Sequence, residues 1–136
     1  MARNILFTPP NDQLIIDGLK DMTARYWVNP PKMSEICTAS TGRRKETRFA
    51  EIKIVGAFMW NPLTDSMLEI ADIHERTGYS LQEIVTKEGF RSWEEFIDAY
   101  VSLNKHKDFD DPKRNHYLID FRVHKLLDVG QMELEL

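Results

Sequence analysis

The chain has very little cysteine. A single thiol, Cys37, among 136 residues excludes an intramolecular disulfide framework, and its apolar neighbours in "EICTA" read as the setting of a buried structural thiol. Also lacking is any apolar run of the roughly 18 to 20 residues that a membrane-spanning helix needs. The opening "MARNILFTPP" has one basic residue and too short an apolar stretch for a secretory signal. The expectation is a cytoplasmic protein with no membrane partner. Metal-ligand spacing is missing too. His74, His106, His116 and His124 form no H-x-x-x-H pattern, and "DFDD" lacks the Gly and terminal Glu of a calcium loop. Neither a metal nor a cofactor is expected. No repeat, low-complexity segment or linker divides the chain, so residues 1–128 are read as one domain and 129–136 as a frayed tail.

What is present is enough apolar material for a core: 42% hydrophobic residues and 10% aromatics argue against disorder. The net charge of −4 is unevenly spread. Residues 1–60 carry nine Lys and Arg against six Asp and Glu, a net of +3, whereas residues 61–136 carry nine against 16, a net of −7. A basic half inside an acidic whole is compatible with a local anion-binding face, because salt limits the reach of opposing charges to roughly 8–10 Å. A solvated acidic helix pair gives the same numbers.

Periodicity places the elements. "NILF" is a short strand stopped by Thr8, Pro9 and Pro10, and Leu14, Ile15 and Ile16 form a short helix that Gly18 ends. "KDMTARYW" alternates, with Met22, Ala24 and Tyr26 on one side and Asp21, Thr23, Arg25 and Trp27 on the other. "EICTA" is a further short strand, and "STGRRKET" an exposed hairpin loop. In the long strand that follows, Ile52, Ile54, Gly56, Phe58 and Trp60 are assigned to one face, with Gly56 marking a bend.

The period then changes. Met67, Ile70, Ala71 and His74 predict a helix ending at Gly78, and two capping boxes, Ser80 with Glu83 and Ser92 with Glu95, predict two more. The last strand puts Tyr117, Ile119, Phe121 and Val123 on a single apolar face. The order gives an α+β fold: a small curved antiparallel or mixed β-barrel, with a short helix after the first strand and a helical insert before the last.

Arg25 beside Tyr26 and Trp27 offers a guanidinium fork for phosphate and aromatic faces for a base, the pairing used on single-stranded RNA. Arg43, Arg44 and Arg48, with Lys53, extend it as a basic path. The alternatives are equally physical: Trp27 belongs to the core, and the loop arginines serve solubility.

"GLKDMTAR", Gly18 to Arg25, resembles the G-x-K-x-x-T-x-R signature of the ASCH domain, a relative of the PUA fold. "ILF" ahead of it, "RFAEIKI", "EGFRSWEEF" and "YLIDF" are similar to the family's elements in the family's order, over residues 3 to 126. The resemblance implies a curved barrel with a cleft beside it, faced by the signature residues Gly18, Lys20, Thr23 and Arg25, and binding of RNA, a nucleotide or a nucleoside. It also implies an alternative. In a branch that hydrolyses N4-acetylcytidine, a signature Lys and Thr and a downstream Glu are catalytic, which carries over to Lys20, Thr23 and, across a gap, Glu88; another branch cuts RNA. This chain departs from the common pattern at Leu19 and Asp21, and Asp21 weakens the local positive potential.

Such chemistry makes a spacing demand. A Thr hydroxyl is a poor nucleophile until a neighbouring base takes its proton, yet residues three apart on a regular strand point to opposite faces. Lys20 must therefore still belong to the turn after Gly18. Otherwise Lys20 is a solvated strand start, Thr23 a β-former and Glu88 the solvated end of a helix.

Overall fold

The computed structural model describes residues 3–60, 77–104 and 112–127. Residues 64–76 of the helix expected to end at Gly78, with His74, His106 and the tail, lie outside them. Five strands and three helices follow in the order β1 (Asn4–Leu6), α1 (Asn11–Ile16), β2 (Met22–Trp27), β3 (Ile36–Ser40), β4 (Arg48–Met59), α2 (Leu81–Glu88), α3 (Trp93–Leu103) and β5 (Asn115–Leu126). The loop between β3 and β4 contains one 3-10 turn, Lys45–Thr47.

The strands form one curled sheet, a half-barrel in the order β1-β3-β4-β5-β2. β1 runs parallel to β3, and the other neighbours are antiparallel. This is the α+β architecture that the alternating ends and the helical middle predict. β1 and β2 are the two edges, so a seam remains between them.

Bulges curl the sheet. The β4–β5 register shifts between Glu51 and Ile52 and again between Ile54 and Gly56, and each extra residue bends its strand. Gly56 is thus the bend that its missing side chain suggested. The bulge also corrects the assignment of faces on β4. Ile52 and Ile54 pack into the inner core together with Ala57, three positions on, while Trp60 joins a second core on the outside. Strict alternation fails because the bulge at Val55 flips the pleat.

The inner core holds Phe7, Ile15, Cys37, Ile119 and Phe121 among others; the outer one packs Met22, Ala24 and Leu118 against Ile84, Phe96 and Tyr100 of α2 and α3. β5 therefore differs from the half-buried strand that was expected. It is buried on both sides from Tyr117 to Phe121, because the helices cover the face that carries Leu118 and Asp120.

The helix starts follow their caps. Ser80 and Glu83 make the full reciprocal box over α2. At α3 the Ser92 hydroxyl accepts from the Glu95 amide, and this half alone forms the N-cap. No helix among the described residues is long and apolar enough to cross a membrane.

Candidate functional site

Gly18 adopts φ 75°, a left-handed conformation that a side chain would strain. This turn folds the chain back over α1: the amides of Leu19 and Lys20 both donate to the Leu14 carbonyl. Lys20 therefore leaves the turn before β2 begins and escapes the alternation that sets Thr23. Both line one cleft.

The cleft is about 480 Å3 in volume and lies at the seam. β1 and the turn after it contribute Asn4, Leu6, Phe7 and Thr8; β2 contributes Thr23 to Trp27; Glu88 ends α2, and Phe96 and Tyr100 come from α3.

Lys20 is 4% exposed and Glu88 2%, and the two are in direct contact. The Lys20 Nζ donates to Glu88 Oε2 at 3.1 Å and to the Glu88 carbonyl at 2.7 Å. The second bond caps the end of α2, where free carbonyls favour a cation. Gly89, at φ 86°, ends the helix there and lets this turn approach Leu14 and Lys20. Burial pushes the Glu88 carboxyl above its ordinary range, and the Lys20 and Arg25 charges pull in the other direction. The other oxygen, Oε1, is buried without a hydrogen-bond partner among the described residues.

Arg25 spans the seam. Its Nη2 donates to the Leu6 carbonyl at 2.6 Å, and its guanidinium lies over the rings of Phe7 and Trp27 at 5.1 and 6.0 Å. Burial lowers its pKa, opposed by Glu88 and Tyr100. Its Nε is enclosed and has no partner among the described residues. The cleft thus holds one unused buried acceptor, Glu88 Oε1, and one unused buried donor, Arg25 Nε.

The structure brings Lys20, Thr23, Arg25, Tyr26, Trp27 and Glu88 to this cleft, and leaves out Gly18, Arg43, Arg44 and Arg48. Gly18 acts at a distance, through the turn it permits. The three arginines are exposed around the β3–β4 hairpin, because the turn that reverses the chain points them to solvent. Trp27 packs against the inner core and also lines the cleft.

Sequence reasoning missed Tyr100. It falls at helical spacing with Trp93, Phe96 and Ile97, an ordinary core stripe, yet a phenol on such a stripe needs a polar partner when buried, and that was the available signal. Its hydroxyl lies 2.7 Å from His116 Nδ1, and His116 stacks on Tyr26 with 4.6 Å between ring centroids. Desolvation drops the His116 pKa to about 4, so the imidazole is neutral at pH 7. Among the described residues no cluster of three or more His, Cys, Asp or Glu is placed to hold a metal ion.

No family model and no curated protein matches the chain. Solved structures do. A DUF984-family protein from Enterococcus faecalis V583 aligns with 94% of this chain and 83% of its own, at 15% identity and a TM-score of 0.64. The hypothetical protein PH0355 aligns with 90% of this chain and 99% of its own, at 16% identity and a TM-score of 0.59. ASCH from Zymomonas mobilis aligns with 90% of this chain and 68% of its own, at 15% identity and a TM-score of 0.52. At these identities the likeness is one of fold, and the fold that this chain adopts is the one shared with the ASCH domain proteins.

Proposed function

We propose that the cleft binds a nucleoside or the nucleoside part of a nucleotide, free or within RNA. The observation that carries this reading is the pair of unused buried polar atoms, Glu88 Oε1 and Arg25 Nε, in a cleft walled by aromatic rings. Leaving a buried donor or acceptor unmade costs about 1–3 kcal/mol each. A ligand that presents both a donor and an acceptor removes both costs at once, and a base edge does so while one of its faces meets the half-buried Trp27. The volume suits it, since pockets for small ligands run from about 300 to 1,000 Å3. NMR titration of labelled protein with cytidine, adenosine, N4-acetylcytidine and short single-stranded RNAs tests this. Shifts are expected at Thr23, Arg25, Glu88 and Tyr100, and a panel that leaves all four unmoved sinks the reading.

A second reading, amide hydrolysis of an N4-acetylated cytidine, is favoured by one feature: the buried side chains of Lys20, Glu88 and Thr23 share one cleft. Moving a proton from the Lys20 ammonium to the Glu88 carboxylate gives a neutral amine and a neutral acid without changing the charge of the cleft. Burial favours such neutral forms. The amine takes the Thr23 hydroxyl proton as the oxygen bonds to the acetyl carbon; the Glu88 proton goes to the leaving N4 as the C–N bond breaks. Water then cleaves the threonyl ester to acetate and restores the hydroxyl. Release of cytidine and acetate from N4-acetylcytidine is the measurement. Binding without turnover leaves the first reading alone.

A further inference from the structure

The last two residues of α2 and the two residues before β2 are joined by two crossed ion pairs. On the inside Lys20 meets Glu88. On the outside the Lys87 Nζ lies 3.1 Å from Asp21 Oδ1 and 3.2 Å from Asp120 Oδ1, and the Asp21 amide donates to the Lys87 carbonyl at 2.9 Å. Each chain segment thus supplies one cation and one anion, in opposite order.

The outer pair is anchored more deeply than surface ion pairs are. Asp120 is 2% exposed and sits on β5 opposite Gly56, at the bulge. The Tyr79 hydroxyl donates to its other oxygen at 2.6 Å, and the Tyr79 ring lies beneath the Lys87 ammonium, 4.9 Å away. Burial works against the charge of Lys87, but the hydrogen bonds and fields of Asp21 and Asp120 outweigh it and raise its pKa. Lys87 is therefore a fixed cation, one residue before the Glu88 carboxylate.

We propose that Lys87 is a positioning residue of the cleft: clamped between Asp21 and Asp120, it locks the last turn of α2 to the start of β2 and balances the charge behind Glu88. This assignment rests on the reading of the cleft as the ligand site. The groups that act on Glu88 are Lys20 from the turn and Arg25 and Asp21 from β2 and its start, with Tyr100 of α3 coupled to it; Lys87 of its own helix and Asp120 of β5 stand behind Asp21. Without the Lys87 cation, the Asp21 carboxylate stands uncompensated and opposes the ionisation of Glu88. Without the Asp21 carboxylate, the balance tips the other way.

The test reads the Glu88 carboxyl by carbon-13 NMR over a pH series, its signal identified by loss in Glu88→Gln. Lys87→Met is expected to raise the titration midpoint of Glu88 by about one pH unit, and Lys87→Arg to return it to the wild-type value. Asp21→Asn, at a half-exposed site, is expected to lower it. A midpoint unmoved in Lys87→Met overturns the proposal and leaves Lys87 a helix anchor only, whatever Asp21→Asn does. Should Lys87→Met fail to fold, Lys87→Gln, which also removes the charge, decides in its place. No ligand enters the measurement, so an unmoved midpoint in a protein that binds nucleosides counts against Lys87 alone. Failure of every nucleoside to bind counts against the cleft reading alone.

Discussion

Lys20 is held where an arginine could keep the charge but not the chemistry. A guanidinium retains the positive charge beside Glu88, yet it does not give up its proton near neutral pH. Lys20→Arg is therefore expected to keep nucleoside affinity within about tenfold and to lower any hydrolysis of N4-acetylcytidine by roughly 100-fold or more, the scale of a lost general base. Thr23→Val, which keeps the shape and removes the hydroxyl, should do the same. Equal turnover by wild type and variant would remove both residues from the chemistry. Cys37 makes the opposite case. Burial and the nearby Glu35 carboxylate push its thiol up to about 12, and a thiolate is the reactive form. The folded protein should leave a disulfide reagent unreacted at pH 8, with one equivalent consumed after unfolding.

His116 carries a pH dependence whose sign follows from its environment. Its folded pKa of about 4 lies below the ordinary value near 6.5, so between these limits the unfolded chain binds more protons. The contribution of His116 to stability is complete above about pH 6.5 and is lost as the pH falls toward 4. Glu35, whose carboxyl is held down chiefly by the Lys32 amide, adds a loss of the same sign only at the acid end. The melting temperature of wild type should fall more steeply than that of His116→Gln between pH 6.5 and 5. Parallel curves would refute the assignment. At this scale the sequence showed the residue types and the turn that frees Lys20, because both are local. It did not show that Glu88 touches Lys20, 68 positions away, nor that Tyr100 reaches the cleft, since both depend on where α2 and α3 dock.

Among the elements, α2 matters most, because its first turn and its end have separate tasks. Ser80→Ala removes the N-cap and should cost about 1 kcal/mol of stability while leaving ligand affinity unchanged. Gly89→Ala places a side chain at positive φ, worth roughly 1–2 kcal/mol, and brings its Cβ within 3.3 Å of Leu14. It should cost more and also weaken nucleoside binding, since it displaces the turn that carries Glu88. Urea melts together with the NMR titration separate these outcomes, and equal losses of affinity in both variants would contradict the division. The capping residues and the helix-ending glycines were legible from sequence because each acts within a few residues. The bulge at Val55 and the double burial of β5 were not. Alternation counts residues along one strand, whereas a bulge is a property of two strands paired.

Across the whole molecule, the basic half of the sequence is divided between an enclosed cleft and an open hairpin. Lys20 and Arg25 are engaged in the cleft; Arg43 and Arg44 project from the β3–β4 loop, outside its lining. Should short RNAs bind, the hairpin is the place where phosphates beyond the cleft are neutralised. Replacing Arg43 and Arg44 together by Ala should then flatten the log-log dependence of affinity on salt by about 0.7 for each phosphate no longer neutralised. Cytidine alone should bind the double variant as it binds wild type. An unchanged slope assigns the hairpin to solubility.

The seam between β1 and β2 has a dynamic consequence. β1 is three residues long and, among the described residues, pairs with β3, while the Arg25 side chain reaches across to it by donating to Leu6. Short edge strands with few partners open at low free energy, long before the molecule unfolds globally. Breathing of the seam and opening of the cleft are then a single motion. A bound ligand that engages Arg25 stitches the two edges together, so the amide hydrogens of β1 should exchange more slowly in its presence, although β1 forms only one wall of the cleft and lies across the seam from Arg25.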